Sequence, residues 1–254
     1  EIISSHAFSN SKIEEIFIPS KVSTICEDAF SHCENLSKVE IPTNSNLQTI
    51  ESYAFSHSNI KAIFIPSKVS TICEYAFSYC KNLRKVEIPT NSNLQTIESY
   101  AFSNTYIEEI YFPSSLRELK NGWCFATHVL SKIKISPSNG QFKFIDDKYL
   151  IGKSDANKDE FDILLFARRD IKEISIPSNI KIISSCALFD CEDLSKVEIP
   201  TNSNLQTIEP NSFSYSNIEE IFIPSKVSTI CNNAFCNCEN LSKVEIPTNS
   251  NLQT

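Results

Sequence analysis

Three glycines among 254 residues leave no Gly-rich loop able to cradle a phosphate. No G-x-S-x-G or H-E-x-x-H stretch marks a nucleophile elbow or a metalloprotease helix. No apolar run approaches the roughly 20 residues that a membrane-crossing helix needs, and no signal peptide is visible. Basic residues form no cluster, and a net charge of −8 repels a phosphate backbone, which argues against nucleic acid as a partner. No C-x-x-C pair begins a zinc site: Cys236-Asn-Cys238, and His32 beside Cys33, lack a second pair at suitable spacing. Asp146-Asp147 is explained by a tight turn at least as well as by a metal. A catalytic centre needs unlike residues converging on one point, whereas this chain spreads like residues along a line. No catalytic residue, metal site or cofactor is therefore assigned, and the chain is not expected to be an enzyme.

What the chain does contain is copies of itself. The stretch "NLSKVEIPTNSNLQTI" at 35–50 largely returns at 82–97, 193–208 and 240–254. Its anchor is a short apolar strand followed by proline, as in Ile16-Phe17-Ile18-Pro19, Val39-Glu40-Ile41-Pro42 and Ile63-Phe64-Ile65-Pro66. The anchor recurs at Val86, Ile110, Ile174, Val197, Ile221 and Val244, and Ile133-Lys134-Ile135 is a variant with its proline one place late. Successive anchors step alternately by 23 and 24 residues, so the true unit is a 47-residue pair. Residues 21–60 and 68–107 differ at only seven of 40 positions. Such an array grows by stacking units and not by enlarging one core.

Within a unit the apolar spacing changes period. Leu36, Val39 and Ile41 follow L-x-x-V-x-I, whose end alternates as a strand does. Ile25, Ala29, Phe30 and Cys33 are spaced like one face of a short helix, and Thr24-Ile-Cys-Glu27 has the form of a capping box. Pro-Thr-Asn-Ser-Asn reads as turn. The expected unit is strand, turn, helical turn and return, with Val39, Ile63 and Val86 pointing inward from one continuous ribbon.

The pattern A-F-x-x-C-x-x-L-x-x-V-x-I-P, at Ala29–Pro42 and Ala76–Pro89, resembles the BspA-like leucine-rich-repeat family over nearly the whole chain. The step of 41 residues between Lys134 and Ser175 resembles that family's hairpin insert. Phe142–Ile151 and Phe161–Phe166 read as its paired strands. The resemblance implies a repeat solenoid of about ten units over 1–254, with a parallel β-sheet on one face, short helical turns and loops on the other, and a hairpin insert at 138–170. It also implies a surface or secreted protein of adhesion type that binds other proteins.

Stacking sets equivalent residues about 4.8 Å apart. One outward column then reads Glu15, Lys38, Ala62, Lys85, Glu109, Lys132, Glu173, Lys196, Glu220 and Lys243, in which acid and base alternate apart from Ala62. The middle column, Phe17, Glu40, Phe64, Glu87, Tyr111, Lys134, Ser175, Glu198, Phe222 and Glu245, sets rings between charges. All of these except Ser175 form the candidate binding face, because exposed aromatics dominate interaction hot spots. The plainer alternative is that the rings only pack across lysine stems. The positions that differ between the closest copies (Asp28/Tyr75, His32/Tyr79, Glu34/Lys81, Ser37/Arg84 and His57–Asn59/Asn104–Tyr106) read chiefly as unconstrained surface.

Ten cysteines read mostly as small packing residues. Members seven apart on a helix, or two coils apart in the stack, lie about 10 Å from one another, beyond disulfide reach. An irregular turn would bring Cys186 and Cys191 into range. The resemblance implies a non-catalytic protein-binding module at the cell surface or outside the cell, its partner another protein, of a host or extracellular, with no membrane insertion. Asn35-Leu-Ser37 and Asn240-Leu-Ser242 match the N-glycosylation pattern, in keeping with secretion. An intracellular scaffold is the alternative, because unoxidised thiols suit a reducing compartment. A regulatory domain of a longer chain is a third class. Glu1 and Thr254 both fall within repeats, so a longer parent with exposed apolar edges is expected.

Overall fold

A computed structural model describes residues 1–252; Thr254, where one apolar edge is expected, lies outside them. The chain divides into two compact units, Glu1–Gly140 and the residues from Gln141 onward. Each is a stack of parallel coils.

In the first unit every Ile-Pro anchor forms a strand: Glu15–Phe17, Lys38–Glu40, Ala62–Phe64, Lys85–Glu87, Glu109–Phe112 and Lys132–Ile135. Alternation sends Val39, Ile63, Val86 and Ile110 into the core, where all are buried. A second row of two-residue strands runs Ile2–Ile3, Thr24–Ile25, Thr49–Ile50, Thr71–Ile72, Thr96–Ile97 and Glu118–Leu119, and forms one unbroken parallel ladder. The core lies between these rows. In the second unit the long strands are Glu173–Ser175, Lys196–Glu198, Glu220–Phe222 and Lys243–Glu245. The outermost coils leave Ile2, Val244 and Ile246 exposed.

The long-strand face is not the continuous ribbon that the repeat suggests. Within a 47-residue pair the strands match fully: Glu15–Phe17 with Lys38–Glu40, Ala62–Phe64 with Lys85–Glu87, and Glu220–Phe222 with Lys243–Glu245. Between pairs the ladder thins or stops. Lys38–Glu40 and Ala62–Phe64 belong to different sheets, linked by a long Lys61 N–H bond to Ser37 O of 3.4 Å. Lys85 matches Glu109, and Lys196 matches Glu220, at a single position each. The reason lies in loop length: the connection from Pro42 to Ile50 has two residues more than that from Pro19 to Ile25. Each Val-Glu strand, held by the longer connection, pairs fully with the strand before it, Ile-Phe or, at Glu173–Ser175, Ile-Ser. Those at Lys38–Glu40, Lys85–Glu87 and Lys196–Glu198 pair at one position or none with the strand after. Val39 and Ile41 are accordingly 8% exposed, whereas Ile63 and Ile65 are 1% and 0%.

The expected helical turns are absent: no helix occurs among the described residues. From Cys26 to Cys33 the backbone instead makes consecutive tight turns. Ala29, Ser31 and Cys33 donate three residues back, while Asp28, Phe30 and His32 donate to Ser52, Ala54 and Ser56 of the next coil. A helix of one or two turns is marginal and satisfies few of its own groups. Stacked coils satisfy them all by alternating inward and lateral bonds. The expected capping box fails for the same reason: Glu27 N–H bonds the Glu51 carboxylate of the next coil at 2.9 Å. This backbone needs a left-handed residue every fourth position, so Asp28, His32, Tyr53, His57, Tyr75, Tyr79, Tyr100 and Asn104 all have positive φ.

The turns stack one phenyl column, buried from Phe30 to Phe102 and exposed at Phe8. Phe8, Phe30, Phe55, Phe77 and Phe102 stack with centroids 5.2–5.4 Å apart. In the second unit the insert opens the short-strand sheet. Phe142–Ile145 pairs antiparallel with Tyr149–Gly152, which pairs antiparallel with Ile163–Ala167, and the last runs parallel to Ile182–Ile183. Phe142–Ile151 is thus a hairpin and not one strand. Asp146 and Asp147, at φ 50° and 53°, supply the two left-handed positions that its tight turn requires.

Candidate binding face

The long strands present their first and third residues to solvent because the middle one is buried. Phe17, 58% exposed, stands beside Glu40, and Phe64 beside Glu87, at matched positions of fully paired strands. Tyr111 is matched with Lys134, and Phe222 with Glu245. Glu198 is matched with Ser175, so that pair carries no ring. Phe64, Tyr111 and Phe222 are half-buried; the charged members are exposed.

Where the ladder opens, the face is concave. A cleft of about 460 Å³ separates Lys38–Glu40 from Ala62–Phe64, floored by Val39 and Ile63 and walled by Glu40 and Phe64. Its equivalent in the second unit, about 200 Å³, lies between Glu198 and Phe222 over Val197 and Ile221. The alternating charges pair laterally within each 47-residue pair, as in Lys38–Glu15 at 3.7 Å, Lys132–Glu109 at 3.1 Å and Lys243–Glu220 at 3.6 Å. They also pair along the strand: Lys38, Lys85 and Lys196 each reach Oε1 of Glu40, Glu87 and Glu198 at 2.5 Å. The hydrogen bond to Glu40 raises the Lys38 pKa, and the bond from Lys134 lowers that of Glu109. Such exposed pairs contribute little stability. What they do is hold the carboxylates in place beside the clefts.

A second surface, on the turns, was not recognised in the sequence as a structured one. Tyr53, Tyr75 and Tyr100 stack at 4.9 and 5.0 Å, and His32, His57 and Tyr79 at 4.4 and 4.5 Å. Asp28, Tyr75, His32, Tyr79, His57 and Asn104, all positions where copies differ, are left-handed turn residues. The recurrence of Asp, Asn and His there, types that tolerate this conformation, was the available signal.

No disulfide joins cysteines among the described residues, Cys186 and Cys191 included. Cys33, Cys80 and Cys238 donate to backbone carbonyls of the preceding coil, at 3.0, 3.1 and 3.1 Å. Burial pushes the Cys73 thiol up to about 11 and the Cys80 thiol to about 12, so both stay protonated and unreactive at neutral pH. Cys236 is exposed and does not pack as the others do. No helix among the described residues is long and apolar enough to cross a membrane.

The model of the BspA type leucine rich repeat region matches residues 1–142 and 161–254, in six copies. The chain belongs to this family. The unmatched residues, 143–160, fall within the hairpin insert that opens the second unit. The fold of this BspA-type chain is also that of solved structures. The pneumococcal vaccine antigen PcpA is 21% identical, with a TM-score of 0.82 over 98% of this chain and 68% of PcpA. A leucine-rich cell surface protein of Faecalibacterium prausnitzii is 22% identical, with a TM-score of 0.64 over 96% of this chain and 82% of its own. A leucine-rich repeat protein of Eubacterium ventriosum is 18% identical, with a TM-score of 0.58 over 94% and 74%. No curated protein sequence matches the chain.

Proposed function

We propose that this chain is a non-catalytic protein-binding module whose long-strand face makes the contact, and that it acts in adhesion or host interaction at a cell surface. The observation that carries the reading is the juxtaposition, at Phe64 and Phe222, of a ring, a carboxylate and an apolar-floored cleft. Desolvated aromatics beside charged rims are what protein interfaces use as anchors. The description of one structural relative as a cell surface protein and of another as a vaccine antigen supports the location.

A random peptide display library selected on the 254-residue chain tests the face. Phe64→Ser with Tyr111→Ser is expected to abolish capture of the selected peptides while circular dichroism and the melting midpoint stay within a few degrees. Capture that persists while the midpoint falls sharply would make the rings structural. Cysteines that form no disulfide suit a reducing compartment and favour a second reading, an intracellular scaffold. Protease treatment of intact cells separates the two: digestion of the protein supports surface display, and full protection supports the scaffold.

A further inference from the structure

The carboxylate–ring arrangement that borders the first unit's cleft repeats at a fixed interval, and that interval selects the shape of what binds. Successive ring-bearing strands are two coils apart, or about 9.6 Å at the usual strand spacing. In the first unit Glu40 precedes Phe64 and Glu87 precedes Tyr111 by one coil each, so the carboxylate–ring arrangement occurs twice at that interval. An extended β-strand laid along the stack brings a side chain to the same face every ~6.8 Å and falls out of step at once. A polyproline II segment has three residues per turn and rises about 9.3 Å per turn. It matches to within about 0.3 Å. It also keeps its backbone polar groups solvated, so it needs no ladder partner from the face.

The charge pattern selects the side chain. Lys38 and Lys85 occupy Oε1 of Glu40 and Glu87, which leaves Oε2 of each to accept a second donor. A lysine or arginine of the partner laid over Val39 and Ile63 places its aliphatic stem on the cleft floor. Its cation then reaches Glu40 and the face of Phe64, an arrangement that attracts cations. The chain's net charge of −8 acts in the same direction. We propose that the first unit binds a polyproline II segment carrying a basic residue at every third position, one basic side chain for Glu40 and Phe64 and the next for Glu87 and Tyr111. The proposal rests on the long-strand face being the binding face.

Fluorescence anisotropy of labelled dodecapeptides against the 254-residue chain tests it. The peptide (Pro-Pro-Lys)4 is expected to bind roughly tenfold more tightly than one of identical composition with its four lysines grouped at one end, since only the former engages both carboxylate–ring pairs. Glu40→Gln with Glu87→Gln, and separately Phe64→Ser with Tyr111→Ser, should each remove that advantage, whereas Glu239→Gln, exposed and outside the long strands, should leave it within twofold. The glutamine pair keeps side-chain size, so its effect does not depend on the serine pair folding well. Equal binding of the two peptides would overturn the proposal, as would tighter binding of a helical peptide with lysine every seventh residue. If library-selected peptides still lose capture on the serine variant, the face remains the binding face and only the polyproline II inference falls. If (Pro-Pro-Lys)4 binds that variant as tightly as the parent chain, both fall.

Discussion

Residues 1–140 and the residues from Gln141 onward share the Ile-Pro anchor yet fill their turns differently. In the first unit like side chains sit above like: Phe30 on Phe55, Tyr53 on Tyr75, His32 on His57. In the second, Leu188 takes a place in the phenyl column, which is left with Phe213 on Phe235 at 5.0 Å, and Phe189 meets Tyr215 edge-on. There Arg169 is buried, donating to Ala187 O at 3.0 Å and Cys186 O at 3.2 Å and lying 4.9 Å from the Phe166 ring centroid. Faithful copying gives an interior made by repetition, each coil supplying its neighbour's missing contacts. Where copying fails, antiparallel strands and a buried cation with its own hydrogen bonds do that work. The candidate binding face follows the same division: three rings at equal steps in the first unit, but Ser175 and then Phe222 in the second.

The largest test of this contrast is Phe55→Ala. It removes a fully buried ring stacked on both sides and should cost about 3–5 kcal/mol in urea denaturation. Because stacked repeats depend on nearest neighbours, the loss should appear in hydrogen exchange across Cys26–Tyr79 and leave the second unit protected. A cost below about 1 kcal/mol would show that the column is not what holds the turns. Next is Arg169→Ala, which removes the second donor from the Ala187 and Cys186 carbonyls, leaving them the Ala167 and Phe189 N–H groups, and opens a cavity beside Phe166. About 2–4 kcal/mol is expected, confined to the second unit. An unchanged denaturation midpoint would end the view that this cation replaces the missing stack.

The smallest effect concerns pH. Burial first, then the neighbouring charges of His32 and Lys81, hold His57 below its ordinary pKa, with Glu34 opposing. Its folded value lies under the unfolded one of about 6.5. The stability it confers is therefore complete above that pH and is lost as pH falls through the folded value. The melting midpoint should drop between pH 7 and pH 5, and His57→Tyr, which copies Tyr79, should flatten that slope. A slope unchanged by the substitution would show that the imidazole stack contributes nothing to it.

The 47-residue period, the strand at each Ile-Pro, the inward Val39 and Ile63 and the outward Phe64 and Glu87 were all readable from the chain, because alternation and proline act locally. The fate of the Ala-Phe turn was not. Ile25, Ala29, Phe30 and Cys33 are spaced as a helix would space them, and the bonds that displace the helix, such as Phe30 N–H to Ala54 O, come from another coil. The tyrosines at left-handed positions were hidden for a related reason, since a bulky residue there runs against local preference and is held by the ring above it. Of the candidate face, the outward placement of the residues was legible and the clefts were not.

By itself the amino-acid sequence determined which residues repeat, which face each strand buries and how far apart the rings recur, since these follow from chain geometry over a few residues. The tertiary structure alone decided that the turns would not be helical and that the long-strand face would part between Glu40 and Phe64. Both depend on how one coil's hydrogen-bonding groups and loop length meet those of the next, a relation that no single repeat contains.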